Sequence, residues 1–283
     1  MAEPDVMAVA AEHARALVKV SGVVGVVVGG SHARGTADEN SDLDLGIYYR
    51  EPLDVDALRD LASAITGRPT EVAKPGGWGP WVNGGAWLDV EDALGWPGGR
   101  VDWILRDLER VDHEVSRALR GEFSLHHQAG HPFGFLSTIY VGEAAVARVV
   151  ADPHGALAKL QARTTPYPEA LRQAMVRWLW EAEFSVEIAR KPVKRGDAAY
   201  VSMCLAHAVG IMAHALHARD GQWVLNEKGL IDAAGRLPCA PADFARRAHA
   251  VCGGVGVEDV LDLEGRVRLA AELLADVRRA TTG

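Results

Sequence analysis

Residues 5–20 place Val6, Val9, Ala10, His13, Leu17 and Val20 at helical intervals, which predicts an amphipathic helix with His13 packed on its apolar side. The run Val23-Val24-Gly25-Val26-Val27-Val28 predicts a buried strand, and the alternation over residues 43–49 predicts a second. Asp54 opens a further helix whose stripe is Val55, Leu58, Leu61, Ala62 and Ile65, ended by Gly67-Arg68-Pro69. Residues 86–90 and 100–105, joined by Gly95-Trp96-Pro97-Gly98-Gly99, predict a strand pair. From Arg106 the strand patterns stop. Leu171, Met175, Trp178, Ala182, Ser185 and Ala189 form one stripe of a helix over 168–190. Asp197 caps a helix running to about Arg219, and Val260, Leu263, Val267, Ala271, Leu274 and Val277 mark a last helix over 258–280. The expected class is α+β: a small mixed-sheet domain over 1–110, then an α-helical bundle over 111–283.

The chain of 283 residues, 48% hydrophobic and 24% charged, has ample core for two modest domains. Cys204, Cys239 and Cys252 are odd in number and form no C-x-x-C pair, so neither a disulfide framework nor a cysteine zinc site is expected. The start carries Glu3 and Asp5 instead of a basic leader, and no apolar run suggests a membrane span. A cytoplasmic protein without a membrane partner is expected. Residues 1–110 hold ten Lys/Arg against eighteen Asp/Glu, the whole of the net charge of −8. An acidic first half argues against a large nucleic-acid substrate, which needs a basic track, and suits a cationic small molecule.

The chemistry gathers at Gly29-Gly30-Ser31-His32-Ala33-Arg34-Gly35 and Asp42-Leu43-Asp44-Leu45. Two glycines permit a tight turn, Ser31 is placed to cap a following helix, and backbone N–H groups there can hold a phosphate. On a strand, Asp42 and Asp44 share one face roughly 6.5 Å apart at the backbone. Carboxylates converging to about 4 Å repel by about 4 kcal/mol at an effective dielectric near 20, a penalty that a hard divalent cation such as magnesium removes.

At these residues the chain resembles the DNA polymerase β-like nucleotidyltransferase superfamily, whose signature is a Gly-Gly/Ser turn, a spacer, Asp-hydrophobic-Asp and a third acid on a later strand. Gly30-Ser31 and Asp42-Leu43-Asp44 match it, and Ala33-Arg34-Gly35 with Ser41 resemble the branch holding antibiotic nucleotidyltransferases and minimal nucleotidyltransferases. The resemblance implies transfer of a nucleoside monophosphate from ATP or another NTP to a hydroxyl, with pyrophosphate released. It implies that Asp42 and Asp44 hold two Mg2+ ions, that a third acid completes the catalytic one, and that Gly30 and Ser31 cradle the phosphates. Asp102, a charge inside the apolar run Val101–Trp103, is the expected third acid; Asp89 has the same parity but adjoins Glu91 and Asp92. An aminoglycoside- or lincosamide-like acceptor, and hence antibiotic resistance, is the specific expectation. The alternatives are protein AMPylation, as by antitoxins, and a non-catalytic nucleotide sensor. Nothing in the sequence fixes the oligomeric state, a homodimer included.

Outside that core, Glu143 opens a small-residue helix and is a candidate for the general-base glutamate that the resembled antibiotic enzymes often carry in their helical domain; the favoured alternative is a glutamate stabilised by the helix dipole. Arg34, Arg195 and Lys228 are candidate triphosphate contacts, Arg34 alternatively holding Asp38 or Glu39. His126, His127 and His131 fit no zinc spacing and suggest a loop, and His207, His214 and His217 share a helix face as packed histidines. The Gly/Trp-rich stretch 74–85 is expected to pack over the core or to wall the substrate site.

Overall fold

The computed structural model describes residues 5–38, 41–91, 99–253 and 262–282. It has two compact units. The first comprises Met1–Ser116, Ser124–Gly130 and Gly134–Thr165, and the second Arg117–Phe123, His131–Phe133 and Pro166–Gly283.

In the first unit α1 (Val6–Leu17) leads into β1 (Val23–Val28), α2 (Gly30–Arg34), β2 (Leu43–Tyr49) and α3 (Val55–Thr66). Local chemistry sets these ends. Asp5 and Asp54 accept the N–H groups of Met7 and Ala57 at 3.0 and 2.9 Å, and Gly67 closes α3 in the left-handed region. β3 (Gly85–Asp89) and β4 (Arg100–Asp107) form the expected antiparallel pair, and α4 (Leu108–Leu119) follows. Then come β5 (Leu125–Gln128), β6 (His131–Leu136), α5 (Thr138–Val146), β7 (Arg148–Ala151) and α6 (Ala156–Ala162).

The main sheet has the order β3-β4-β2-β1-β7, with β2 and β4 parallel and the other neighbours antiparallel. Period-two alternation divides its faces. Leu43, Leu45 and Ile47 of β2 join Val101, Trp103 and Leu105 of β4 in one core with Ala14 and Leu17 of α1 and Leu58 and Ala62 of α3. His13 is buried there, and its Nδ1 accepts the Trp103 indole N–H at 3.2 Å. Burial lowers the His13 pKa to about 4.

Three stretches depart from the expected all-helical continuation after Arg106. The histidine pair His126-His127 lies in β5, not in a loop, and β5 and β6 make a two-stranded sheet. Residues 148–151, expected within a helix from Glu143, are a strand because they pair with β1. The division expected after residue 110 therefore falls short of the first unit, which reaches Thr165, where Leu157 of α6 packs against Gly25.

The second unit holds α7 (Glu169–Arg177), α8 (Leu179–Val193), α9 (Ala198–Arg219), α10 (Leu230–Gly235), α11 (Phe244–Cys252) and α12 (Leu263–Thr282). The single helix expected over 168–190 is two, meeting at Trp178, with the predicted stripe buried throughout. Asp197 accepts the Tyr200 N–H at 3.2 Å and starts α9 as expected. The expected start of the last helix, 258–261, lies outside the described residues. By length and composition α9 could cross a membrane, contrary to the expectation that no run could, yet 67% of its most apolar window is buried inside the bundle. Phe133 stacks on His207 and His214 at 5.3 and 5.4 Å, and His207 meets Glu181 at 2.8 Å, so these histidines are packed as expected.

Candidate active site

β1 ends at the glycine turn, and the Gly29 N–H donates to the Asp44 carbonyl at 2.9 Å, tying the turn to β2. Gly30 is left-handed at φ +56°, and a Cβ there would lie 1.8 Å from Asp44 Oδ2. The missing side chain is therefore the space into which the Asp44 carboxylate fits. Gly29, not Ser31, is the N-cap of α2, because the chain turns helical two residues earlier than expected; Ser31 stands in the first turn. First-turn N–H groups have no partner within a helix and can face an anion. Arg34 turns back to the Gly30 carbonyl, with Nε at 3.2 Å. His32 reaches the Ser41 carbonyl at 3.4 Å.

Across the parallel pair, Asp44 and Asp102 are Cα partners, so their side chains stand side by side on the face opposite the core. Asp42 lies just before β2, and Arg100 spans it and Asp102: the guanidinium donates to Asp42 Oδ2, and its Nε lies 3.2 Å from Asp102 Oδ1. That second approach is an ion pair without hydrogen-bond alignment, so Asp102 Oδ1 is buried with no hydrogen-bond partner. Burial, then the Asp44 and Asp42 charges, raise the Asp102 pKa to about 6 against the opposing Arg100. Burial also raises that of Asp44, with Asp42 and Glu143 adding and His32 and Arg34 opposing. Asp89, the rival third acid, is an exposed partner of Arg68 at 2.7 Å, and that hydrogen bond lowers its pKa.

Glu143 does not open its helix but lies near the end of α5. Its two oxygens accept from Nε and Nη2 of the buried Arg106 at 2.6 and 2.8 Å. Held in this bidentate fork, the carboxylate has the geometry of a counter-ion to Arg106. Arg195 and Lys228 belong to the second unit, in the α8–α9 loop and before α10, and both are exposed.

The stretch 74–85 is packed against its neighbours. Trp81 stacks on His126 at 3.6 Å, its carbonyl accepts the Tyr140 hydroxyl, and its N–H donates to Gln128 Oε1 at 3.2 Å. Trp78 stacks on Trp87, ring centroids 4.7 Å apart. Sequence reasoning missed Arg100, Arg106 and Trp87 as site neighbours. The available signal was parity, since Arg100 and Arg106 share the face of Asp102 along one strand. A cleft of about 430 Å³ flanks Trp78 and Trp87, and another of about 500 Å³ lies by Arg50 and Leu108, beyond the far ends of β2 and β4.

Among the described residues no three His, Cys, Asp or Glu side chains are gathered as metal ligands. Arg100 holds Asp42 and Asp102 at this place. The donor set nevertheless fits a hard cation. Asp44 and Asp102 adjoin, Asp102 Oδ1 is buried with only the Arg100 ion pair beside it, and burial, with neighbouring like charges adding, raises both pKa values.

A family model described as a nucleotidyltransferase domain matches residues 10–75, and one described as a domain of unknown function (DUF4037) matches residues 137–228. No curated protein matches the chain. Among solved structures, a nucleotidyltransferase-like protein from Exiguobacterium sibiricum 255-15 is similar at 12% identity over 96% of this chain and 73% of that one, with a TM-score of 0.44. The match over 10–75 contains the glycine turn, Asp42 and Asp44, so this stretch is similar to a nucleotidyltransferase domain.

Proposed function

We propose that this chain transfers a nucleoside monophosphate from an NTP, ATP by preference, to a hydroxyl of a small acceptor. The observation that carries the reading is the in-register pair Asp44–Asp102 beside the glycine turn. The acceptor hydroxyl gives up its proton to solvent as its oxygen attacks the α-phosphorus, the bond from that phosphorus to the β-bridging oxygen breaks, and pyrophosphate leaves. The α2 first turn, at Gly30 and Ser31, faces the departing phosphates with its N–H groups. Asp42, Asp44 and Asp102 would hold Mg2+ once Arg100 is displaced. Bound there, the ions neutralise phosphate charge and lower the acceptor hydroxyl pKa. Arg106 and Glu143 neutralise each other and hold the rear of this face. The acidic first half favours a cationic acceptor of the aminoglycoside or lincosamide type over a nucleic acid.

One observation favours a second reading, a nucleotide sensor: Arg100 already supplies a positive charge between Asp42 and Asp102. Incubation with Mg2+, each NTP and a panel of aminoglycosides, lincosamides and proteins decides. Pyrophosphate release with a product heavier by one nucleoside monophosphate, lost in Asp44→Asn, supports transfer. A protein among the labelled products would instead indicate AMPylation, and nucleotide binding without turnover the sensor.

A further inference from the structure

The register places a third side chain in line with the two acids. Asp44 of β2 pairs with Asp102 of β4, and Asp102 pairs with Trp87 of edge strand β3. Strands lie roughly 5 Å apart, so the three stand in a row on one face of the sheet. The Trp87 indole is 62% exposed. It is nevertheless held, because Trp78 stacks beneath it with planes 16° apart. Trp78 is itself fixed: its N–H donates to the Asn83 carbonyl at 2.8 Å and its carbonyl accepts from Gln128 Nε2 at 2.8 Å. At Gly85 a Cβ would come within 3.0 Å of the Trp78 ring and 1.8 Å of the Trp103 carbonyl, so the bare backbone lets the indole settle there. The indole thus stands solvent-facing, stacked on Trp78 and one strand from Asp102.

The direction of the reaction says which partner. The sheet order runs β1, β2, β4, β3, so the glycine turn and Trp87 lie on opposite sides of Asp44 and Asp102. In-line displacement puts the attacking oxygen opposite the leaving group. With the leaving pyrophosphate at the glycine turn, the acceptor enters from the β3 side. Asp102, Asp89 and Glu71 lie near Trp87 with Arg100, Arg68 and Arg59 beside them in turn, so the attraction for a cation there comes from the indole itself. An indole face attracts cations through its quadrupole and offers a flat surface to a ring.

We propose that Trp87, backed by Trp78, is the acceptor platform, receiving a ring-bearing, positively charged molecule whose hydroxyl faces Asp102. This rests on the nucleotidyl-transfer reading above and adds to it the residue that selects the acceptor. The test titrates the full chain, by saturation-transfer NMR, with kanamycin as a ring-bearing polycation, glucose as an uncharged ring and putrescine as an acyclic cation. Kanamycin binds saturably and more tightly than either control. Trp87→Ala weakens it about tenfold, Trp87→Phe recovers most of the loss, and Trp180→Ala in α8 leaves it unchanged. Kanamycin binding within twofold of wild type in Trp87→Ala, no saturable binding by wild type, or putrescine binding as tightly as kanamycin overturns the platform. Turnover separates the two levels. Transfer to an acceptor whose KM ignores Trp87→Ala removes the platform and leaves transfer standing. Trp87-dependent kanamycin binding without any NTP turnover removes transfer and leaves the platform.

Discussion

Gly30 and Asp44 occupy one another's space: a Cβ on Gly30 would lie 1.8 Å from Asp44 Oδ2, in a backbone conformation at φ +56°. The turn and the acid are therefore a single device, and neither tolerates enlargement of the other. Gly30→Ala is expected to displace the Asp44 carboxylate by about an ångström and to lower NTP-dependent pyrophosphate release about a hundredfold. Its urea midpoint should fall by an amount equivalent to about 1–2 kcal/mol for the left-handed residue. Wild-type turnover in this variant would show that Asp44 has no fixed position in the reaction.

Asp102 stores an electrostatic cost. Its pKa, raised to about 6 mainly by burial and then by Asp44 and Asp42, lies above its unfolded value near 3.8. Its contribution to stability is full below the unfolded value and is lost as pH rises through 6. In the absence of divalent cations Asp102→Asn should make the protein more stable at pH 8, by on the order of 2 kcal/mol, and change little at pH 4. Urea denaturation at the two pH values measures this. A variant less stable at pH 8 would assign Asp102 to holding the fold through Arg100.

Arg100 competes with any cation for Asp42 and Asp102. The side chain is half exposed, so the competition is modest, and Arg100→Ala should tighten Mg2+ binding about two- to fivefold by calorimetry. Mg2+ should also raise Tm in wild type and lose that effect in Asp44→Asn. Weaker Mg2+ binding in Arg100→Ala would make the arginine a supporting element.

His13 gives the opposite pH signature to Asp102. Burial holds it near pKa 4, below the unfolded 6.5, so the unfolded chain takes up a proton first as the solution is acidified. Stability from this residue is full above pH 6.5 and is lost between 6.5 and 4, to a total on the order of 3 kcal/mol. His13→Gln, which keeps an acceptor for the Trp103 N–H, should flatten that acid limb in urea titrations. An unchanged limb would place the proton uptake elsewhere.

Breaking the Glu143–Arg106 fork leaves a buried guanidinium without its counter-ion. Glu143→Gln is expected to cost about 3 kcal/mol, read from chemical denaturation, with any loss of turnover accompanying that loss of stability. Full stability with turnover lost would restore Glu143 as the general base.

Strand limits at Val23–Val28 and Leu43–Tyr49, the caps at Asp54 and Asp197, and the Gly30-Ser31 and Asp42-Leu43-Asp44 pattern were all legible, because local periodicity and turn chemistry determine them. The four-residue strand Arg148–Ala151 was not. So short a run carries no period of its own, and only its place beside β1 makes it a strand. Glu143 read as a helix start because a small-residue run followed it, while α5 in fact begins five residues earlier. By itself the sequence determined which residues are acids, which glycine must turn, and on which face of its own strand each side chain stands. Only the tertiary structure decided that Asp44, Asp102 and Trp87 form a row and that Arg100 lies between two of the acids. Register between strands is set by pairing partners distant in sequence, and no pattern within one strand encodes it.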